Sequence, residues 1–168
     1  AEQAAFKKSA ADQLSSIAAL KVGRIEEWRT EWVAQARVFA SVPFIAEHVR
    51  QLVRDPRDAG CLAAVKGWLG NIVTHYGYES VILVNPAGEG VLSVPAGKER
   101  FSPYAKTTLL RAMRERDIIM SDFYRGIGDT IYITLAVPIG EPAGPVAGAL
   151  LLRIDPQKYF YPLVQTWP

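Results

Sequence analysis

Reactive side chains are scarce in these 168 residues, which hold one cysteine, Cys61, and two histidines, His48 and His75. A lone cysteine excludes an internal disulfide, and in a helical pattern it reads as a small buried hydrophobe. His48 and His75 fall on separate helical stretches with no Cys or carboxylate at ligand spacing. They read as helix-surface or core histidines, and no metal is expected. The net charge of +2 offers no basic patch for nucleic acid. No apolar run reaches the roughly 18 residues of a membrane span. "GIGDT" is too short for a phosphate loop, and Asp122 and Asp129 around it read as a strand end and a turn former. With neither a nucleophile–base pair nor a metal cluster, we expect no catalytic residue and no cofactor, hence no enzyme.

A hydrophobic share of 49% is enough for one proper core. Up to about residue 42 the only Gly or Pro is Gly23, and apolar residues recur at Leu14, Ala18, Val22, Ile25, Trp28, Trp32, Ala36 and Phe39. Steps of three and four make one helical stripe. About 40 residues at 1.5 Å each give a rod of roughly 60 Å, longer than a small domain is wide. Part of it is therefore expected to protrude or to pair with a second copy, Trp28 and Trp32 serving as core or dimer contacts. Pro43 stops the rod. "FIAEHVRQLV" reads as a short helix, and a stripe from Leu62 to Tyr76 predicts a third over 59–76. The helical pattern at Ala1 and the stop at Trp167 and Pro168 lead us to expect flanking segments.

At Gly77 the period changes. "YESVILV" and "GVLSV" flank the turn "NPAGEG", a β-hairpin signature. "SPYAKTTLLRAMRER" predicts a helix with Ser102 at its N-cap and Pro103 in its first turn. "DIIMSDFYRG", "TIYITLAVPIG" and "PVAGALLLRI" are three further strands, and "DPQKYFYPL" opens a last helix capped by Asp155. Tight turns force antiparallel pairing. The expected fold is α+β: a five-stranded antiparallel sheet, a long N-terminal helix on one face, a short helix and loop on the other. In the fourth strand Ile131, Ile133, Leu135 and Val137 share the apolar face, while Tyr132, Thr134 and Ala136 share a mixed one. That mixed face, roofed by the inserted helix and the loop "PAGKERF", is the candidate cleft for a small molecule.

The order of a long helix, "YESVILVNPAGEGVLS", an inserted helix, "IIMSDFYRGIGDTIYITLAVPIG" and "VAGALLLRID" resembles the Cache sensor domains, also called PDC or PAS-like. The strongest piece is the hairpin with Tyr124 before its turn and Thr134 to Pro138 after it. The resemblance implies a PAS-like sheet. It also implies the extracytoplasmic (periplasmic) input domain of a bacterial inner-membrane histidine kinase, diguanylate cyclase or chemoreceptor. In amino-acid-binding members, contacts come from an Arg and aromatics near the inserted helix and from a Tyr and an Asp on the third strand. Tyr124 matches that tyrosine, and Arg100 and Tyr104 lie where the helix-side group falls. The family's Arg-x-Trp-Tyr spacing is replaced by "RFSPY", and Gly126 stands at the Asp position. Those departures speak against an amino-acid ligand, not against the fold.

The candidate ligand-binding set is Ser93, Arg100, Tyr104, Asp122, Tyr124, Tyr132 and Thr134. Strand tyrosines also simply fill half-buried sheets, and Arg100 has the alternative of a solvated loop charge. Residues 1–54 are expected to form the N-terminal helices, 55–155 the sensor core, and 156–168 a helix toward a downstream segment. The expected function is sensing of a small polar metabolite, a carboxylate being the natural guest, with transmission through the long helix of a membrane-tethered homodimer. The alternative is a dimerisation or protein-interaction module of the same fold with no small ligand.

Overall fold

In the computed structural model, residues 1–165 are described. Helix α1 (Glu2–Ala40) contains 39 residues. Its C-terminal half buries Trp28, Trp32, Ala36 and Phe39. Its N-terminal half leaves the expected stripe in solvent, with Phe6 76% and Leu14 64% exposed and Leu20 and Val22 more than half so. Nothing in the sheet reaches that far: at 1.5 Å per residue the helix is about 58 Å long. Phe44, with φ 71°, turns the chain into α2 (Ile45–Arg54), which buries Ile45, Val49 and Leu52. In α3 (Ala59–Tyr76) the Asp58 carboxylate accepts the Cys61 N–H as N-cap, and Gly77 closes the helix in the left-handed conformation.

The sheet comprises β1 (Ser80–Val84), β2 (Gly90–Val94), β3 (Ile119–Met120), β4 (Tyr124–Arg125), β5 (Ile131–Gly140) and β6 (Val146–Ile154). Its order is β2-β1-β6-β5-β3, with β4 also on β5, and every pairing is antiparallel. Between the two hairpins α4 (Pro103–Glu115) crosses from one edge to the other, capped as expected by Ser102 Oγ. Two short helices, α5 (Pro156–Tyr159) and α6 (Tyr161–Gln165), follow β6.

The count of five strands is corrected to six. Ile119 pairs with Ala136 and Met120 with Leu135, but pairing resumes at Tyr124 with Tyr132. Residues 121–123 thus oppose only Ile133 and Thr134, a β-bulge that splits the third strand. The Ser121 hydroxyl holds the break by accepting the Thr134 N–H, while its own N–H donates to the Thr134 carbonyl.

Each sheet face has its own core. Ile133, Leu135, Val137, Ile139, Leu150, Leu152 and Ile154 pack with Val81 and Leu83 under α1, α2 and α3. On the other face Ile82, Val84, Ala136, Ala149 and Leu151 meet Ala105, Leu109, Ala112 and Met113 of α4.

Candidate functional site

The α4-facing side of the sheet is apolar at one end and polar at the other. Ser80 pairs with Arg153, and Arg153 with Thr134, so these three side chains form one row across β1, β6 and β5. All three are buried. Thr134 Oγ1 donates to Ser121 Oγ at 3.2 Å. Beside this row the rings line up: Tyr104 and Tyr124 have centroids 5.0 Å apart, Tyr124 and Tyr132 6.3 Å. The Arg153 guanidinium carbon lies 5.1 Å from the Tyr132 centroid, within cation–π range.

Arg153 is only 4% exposed. One terminal nitrogen donates to the Arg100 carbonyl at 2.9 Å and the other to the Lys98 carbonyl at 3.5 Å. Its Nε has no partner, and neither has the buried Tyr124 Oη. Among the described residues no carboxylate pairs with Arg153: Glu79 is held by Lys98 Nζ at 3.3 Å, and Asp155 caps α5. A buried charge without a counter-charge costs several kcal/mol. Burial pushes the Tyr124 hydroxyl above its ordinary pKa, and the nearby Thr134 hydroxyl and Arg153 moderate that rise. Neither of them meets the Tyr124 oxygen in hydrogen-bond geometry.

Tyr132 and Thr134 share this face as expected from strand alternation, and Tyr124 joins them because it pairs with Tyr132 across the β4–β5 turn. Tyr104 joins them from the first turn of α4, 45% exposed with its ring on Tyr124. Ser93 is buried but occupied: its hydroxyl donates to the Pro95 carbonyl and accepts the Lys98 N–H, tying down the loop between β2 and α4. Arg100 and Asp122 point into solvent. Arg100 reaches the polar row through its carbonyl alone, and the carbonyl of Asp122 accepts the Ser121 hydroxyl. The bulge turns Asp122 outward.

Sequence reasoning missed Arg153. The signal was a lone charge in "ALLLRI", at the position that shares a face with Leu151. A cleft of about 430 Å³ lies beside this face, bounded by Glu79, Lys98, Asp129, Tyr132, Asp155 and Tyr161; it shares Tyr132 with the face, but Tyr104, Tyr124, Thr134 and Arg153 do not line it. A larger hollow of about 680 Å³, under the α1–α2 turn beside Phe44 and Pro138, lies at the other end of β5.

Elsewhere, chemistry is muted. Burial raises the Cys61 thiol pKa, with the Asp58 carboxylate adding to the effect, the reverse of an activated nucleophile. His48 Nδ1 lies 2.9 Å from the Phe44 carbonyl of its own helix start.

No protein-family model matches the chain, and no curated protein matches it. Solved structures do. The sensory domain of the Campylobacter jejuni chemoreceptor Tlp3 with isoleucine bound aligns with a TM-score of 0.73 at 16% identity, over 98% of this chain and 66% of that one. The sensor domain of the V. cholerae histidine kinase DctB aligns with a TM-score of 0.70 at 9% identity, over 95% of this chain and 60% of that one. The ligand-binding domain of the Pseudomonas fluorescens chemoreceptor CtaA in complex with L-alanine gives 0.56 at 15% identity, over 87% and 60%. The chain thus spans about two thirds of these solved chains or less, and it has the fold of sensor domains.

Proposed function

We propose that this chain is the extracytoplasmic ligand-sensing input domain of a membrane-bound signal-transduction protein, such as a chemoreceptor, histidine kinase or diguanylate cyclase. Its ligand is a small polar metabolite, bound on the α4-facing side of the sheet. The observation that supports this most is the buried polar row with two unpartnered donors, Arg153 Nε and Tyr124 Oη. Folded proteins rarely retain such groups without a use for them. The fold adds support, since Tlp3 and CtaA domains of this architecture are solved with isoleucine and L-alanine. Ligand-induced movement of the sheet would alter the seat of Trp28, Trp32 and Phe39, and α1 would pass the change on.

No helix among the described residues is long and apolar enough to cross a membrane. Homodimerisation through α1 fits the exposed Phe6, Leu14, Leu20 and Val22, since paired helices would cover them. The same residues favour the second reading, an interaction module without a small ligand.

Thermal-shift screening against amino acids and simple carboxylates separates the two readings. A binder that stabilises the native state raises Tm in a concentration-dependent way. Sensing predicts such a shift for at least one compound, abolished or weakened by substitutions along Tyr104, Tyr124 and Thr134. A flat screen, with self-association through α1 intact, leaves the interaction module standing instead.

A further inference from the structure

Helix α3 packs on the sheet face away from the polar row, and between it and the end of α1 lies a cleft of about 340 Å³. Trp68, Ile72 and Tyr76 reach it from α3 at helical spacing, and Phe39 closes it from α1. Val38 and Val42 form an exposed apolar rim. The Trp68 Nε1 atom is buried and has no acceptor. An indole nitrogen only donates, so this group is left open to an acceptor from outside the chain. Asn71 and His75, at the same opening, have no hydrogen-bond partner among the described residues either. No carboxylate, lysine or arginine lines the cleft.

We propose that this cleft is a second binding site, for a compact uncharged aromatic molecule whose carbonyl or similar oxygen accepts the Trp68 indole N–H. It is independent of the ligand reading of the α4 face. The walls suit a ring: Phe39 and Tyr76 meet edge-on with centroids 5.1 Å apart, and Ile72 adds buried aliphatic surface. The volume exceeds the roughly 150 Å³ that holds benzene in a dry apolar cavity and lies at the low end of ligand pockets. A charged guest would lose its hydration with no counter-charge to meet it. A protein partner fits less well: eight residues line the cleft, against about 20–30 on each side of a stable interface. The guest would bear on α1 as well, because Phe39 also meets Tyr78, whose ring meets Trp32. Occupancy would thereby tighten the same α1 seat from the side opposite the polar row.

The test uses the chain as it stands with two variants, Trp68→Phe and Val38→Trp. Acetophenone, a neutral ring with a carbonyl, is compared with toluene, which lacks the acceptor, and with benzoate, which is charged. NMR titration and thermal shift read binding. Acetophenone should raise the parent Tm in a concentration-dependent way. It should bind at least about fivefold more tightly than toluene or benzoate, the worth of one acceptor to a buried orphan donor. It should also shift one indole N–H resonance, the one that Trp68→Phe removes. Trp68→Phe keeps a ring and loses the donor, so it should bind acetophenone and toluene alike. Val38→Trp should fill the cleft and abolish binding of both, and the fold should persist because Val38 is exposed.

Equal affinity of the parent for acetophenone and toluene overturns the proposal, as does benzoate binding as tightly as acetophenone. So does discrimination that survives in Trp68→Phe. Binding unchanged in Val38→Trp places the site elsewhere and overturns it too. If none of the three binds the parent, water satisfies the Trp68 N–H and the proposal falls, while the α4-face reading is decided by its own screen. If sedimentation shows a parent dimer that Val38→Trp disrupts, with no aromatic bound, the groove belongs to a second copy instead.

Discussion

Gly126 lies flat against the Tyr132 ring, so that a Cβ on Gly126 would come within 2.8 Å of ring atoms Cδ2 and Cε2. The Gly126 N–H also donates to the Thr130 carbonyl, which fixes its backbone. Gly126→Ala must therefore push the ring, not the chain. Tyr132 shields Arg153, so ligand affinity should fall while overpacking costs about 1–3 kcal/mol. Calorimetry and a urea titration read both. An alanine variant with parent affinity and parent midpoint would show that the ring has room to move.

Gly148 is held more tightly still. A Cβ there would sit 2.3 Å from the Val84 carbonyl oxygen, in the central β1–β6 pair. Backbone cannot swing aside as a side chain can, so Gly148→Ala should destabilise by about 2–4 kcal/mol. Gly67, inside α3, has open space around its Cβ position. Gly67→Ala should stabilise by roughly 0.5–1 kcal/mol. Opposite signs in paired urea midpoints are the expected outcome.

Tyr78 buries a hydroxyl that has no partner, in the core beneath Trp32 and Phe39. Burial raises its pKa strongly, with Tyr76 adding to it. A raised folded pKa means that the neutral form is favoured in the native state. Its contribution is complete below the unfolded tyrosine value of about 10 and is lost as pH rises beyond it. Tyr78→Phe removes both the orphan and the titration. It should match or exceed the parent Tm at pH 7, and its advantage should widen above about pH 10. A gap that stays constant with pH would refute the titration argument.

The two halves of α1 should respond differently to substitution. Trp32 packs edge-on against Tyr78 and Tyr159, so Trp32→Ala should cost about 3–5 kcal/mol. Leu14→Glu touches nothing in its own core and should leave the Tm of the monomer unchanged. If α1 pairs with a second copy, sedimentation at tens of micromolar should show a dimer in the parent and less of it in Leu14→Glu. An equal dimer fraction in both would place the contact elsewhere.

Much of this architecture was legible residue by residue. Ser102 and Pro103 announce α4, Asp58 and Gly77 bracket α3, and Asn85 to Gly90 joins β1 to β2 with both Asn85 Oδ1 bonds inside the turn. These signals are local: a cap or a turn is completed by atoms a few residues away. The hydrophobic periods likewise placed Ile133, Leu135 and Val137 on the helix-covered face, where they are. The stripe of α1 was legible too, but not how far along it the sheet extends. Burial of Trp28 and exposure of Leu14 depend on where the other elements stop.

The site depended on two non-local facts. By strict alternation from Ile119, which faces α4, Tyr124 would fall on the opposite face. The one-residue bulge at 121–123 reverses that parity, sets Tyr124 against Tyr132 and sends Asp122 into solvent. The sequence by itself determined which stretches become helix and strand, and which strand faces are apolar, because propensity, capping and alternation act over a few residues. Only the tertiary structure decided that Tyr124 joins the α4 face and that Arg153 lies buried between Ser80 and Thr134. Register across three strands, unlike a cap or a turn, is settled by partners far apart in the chain.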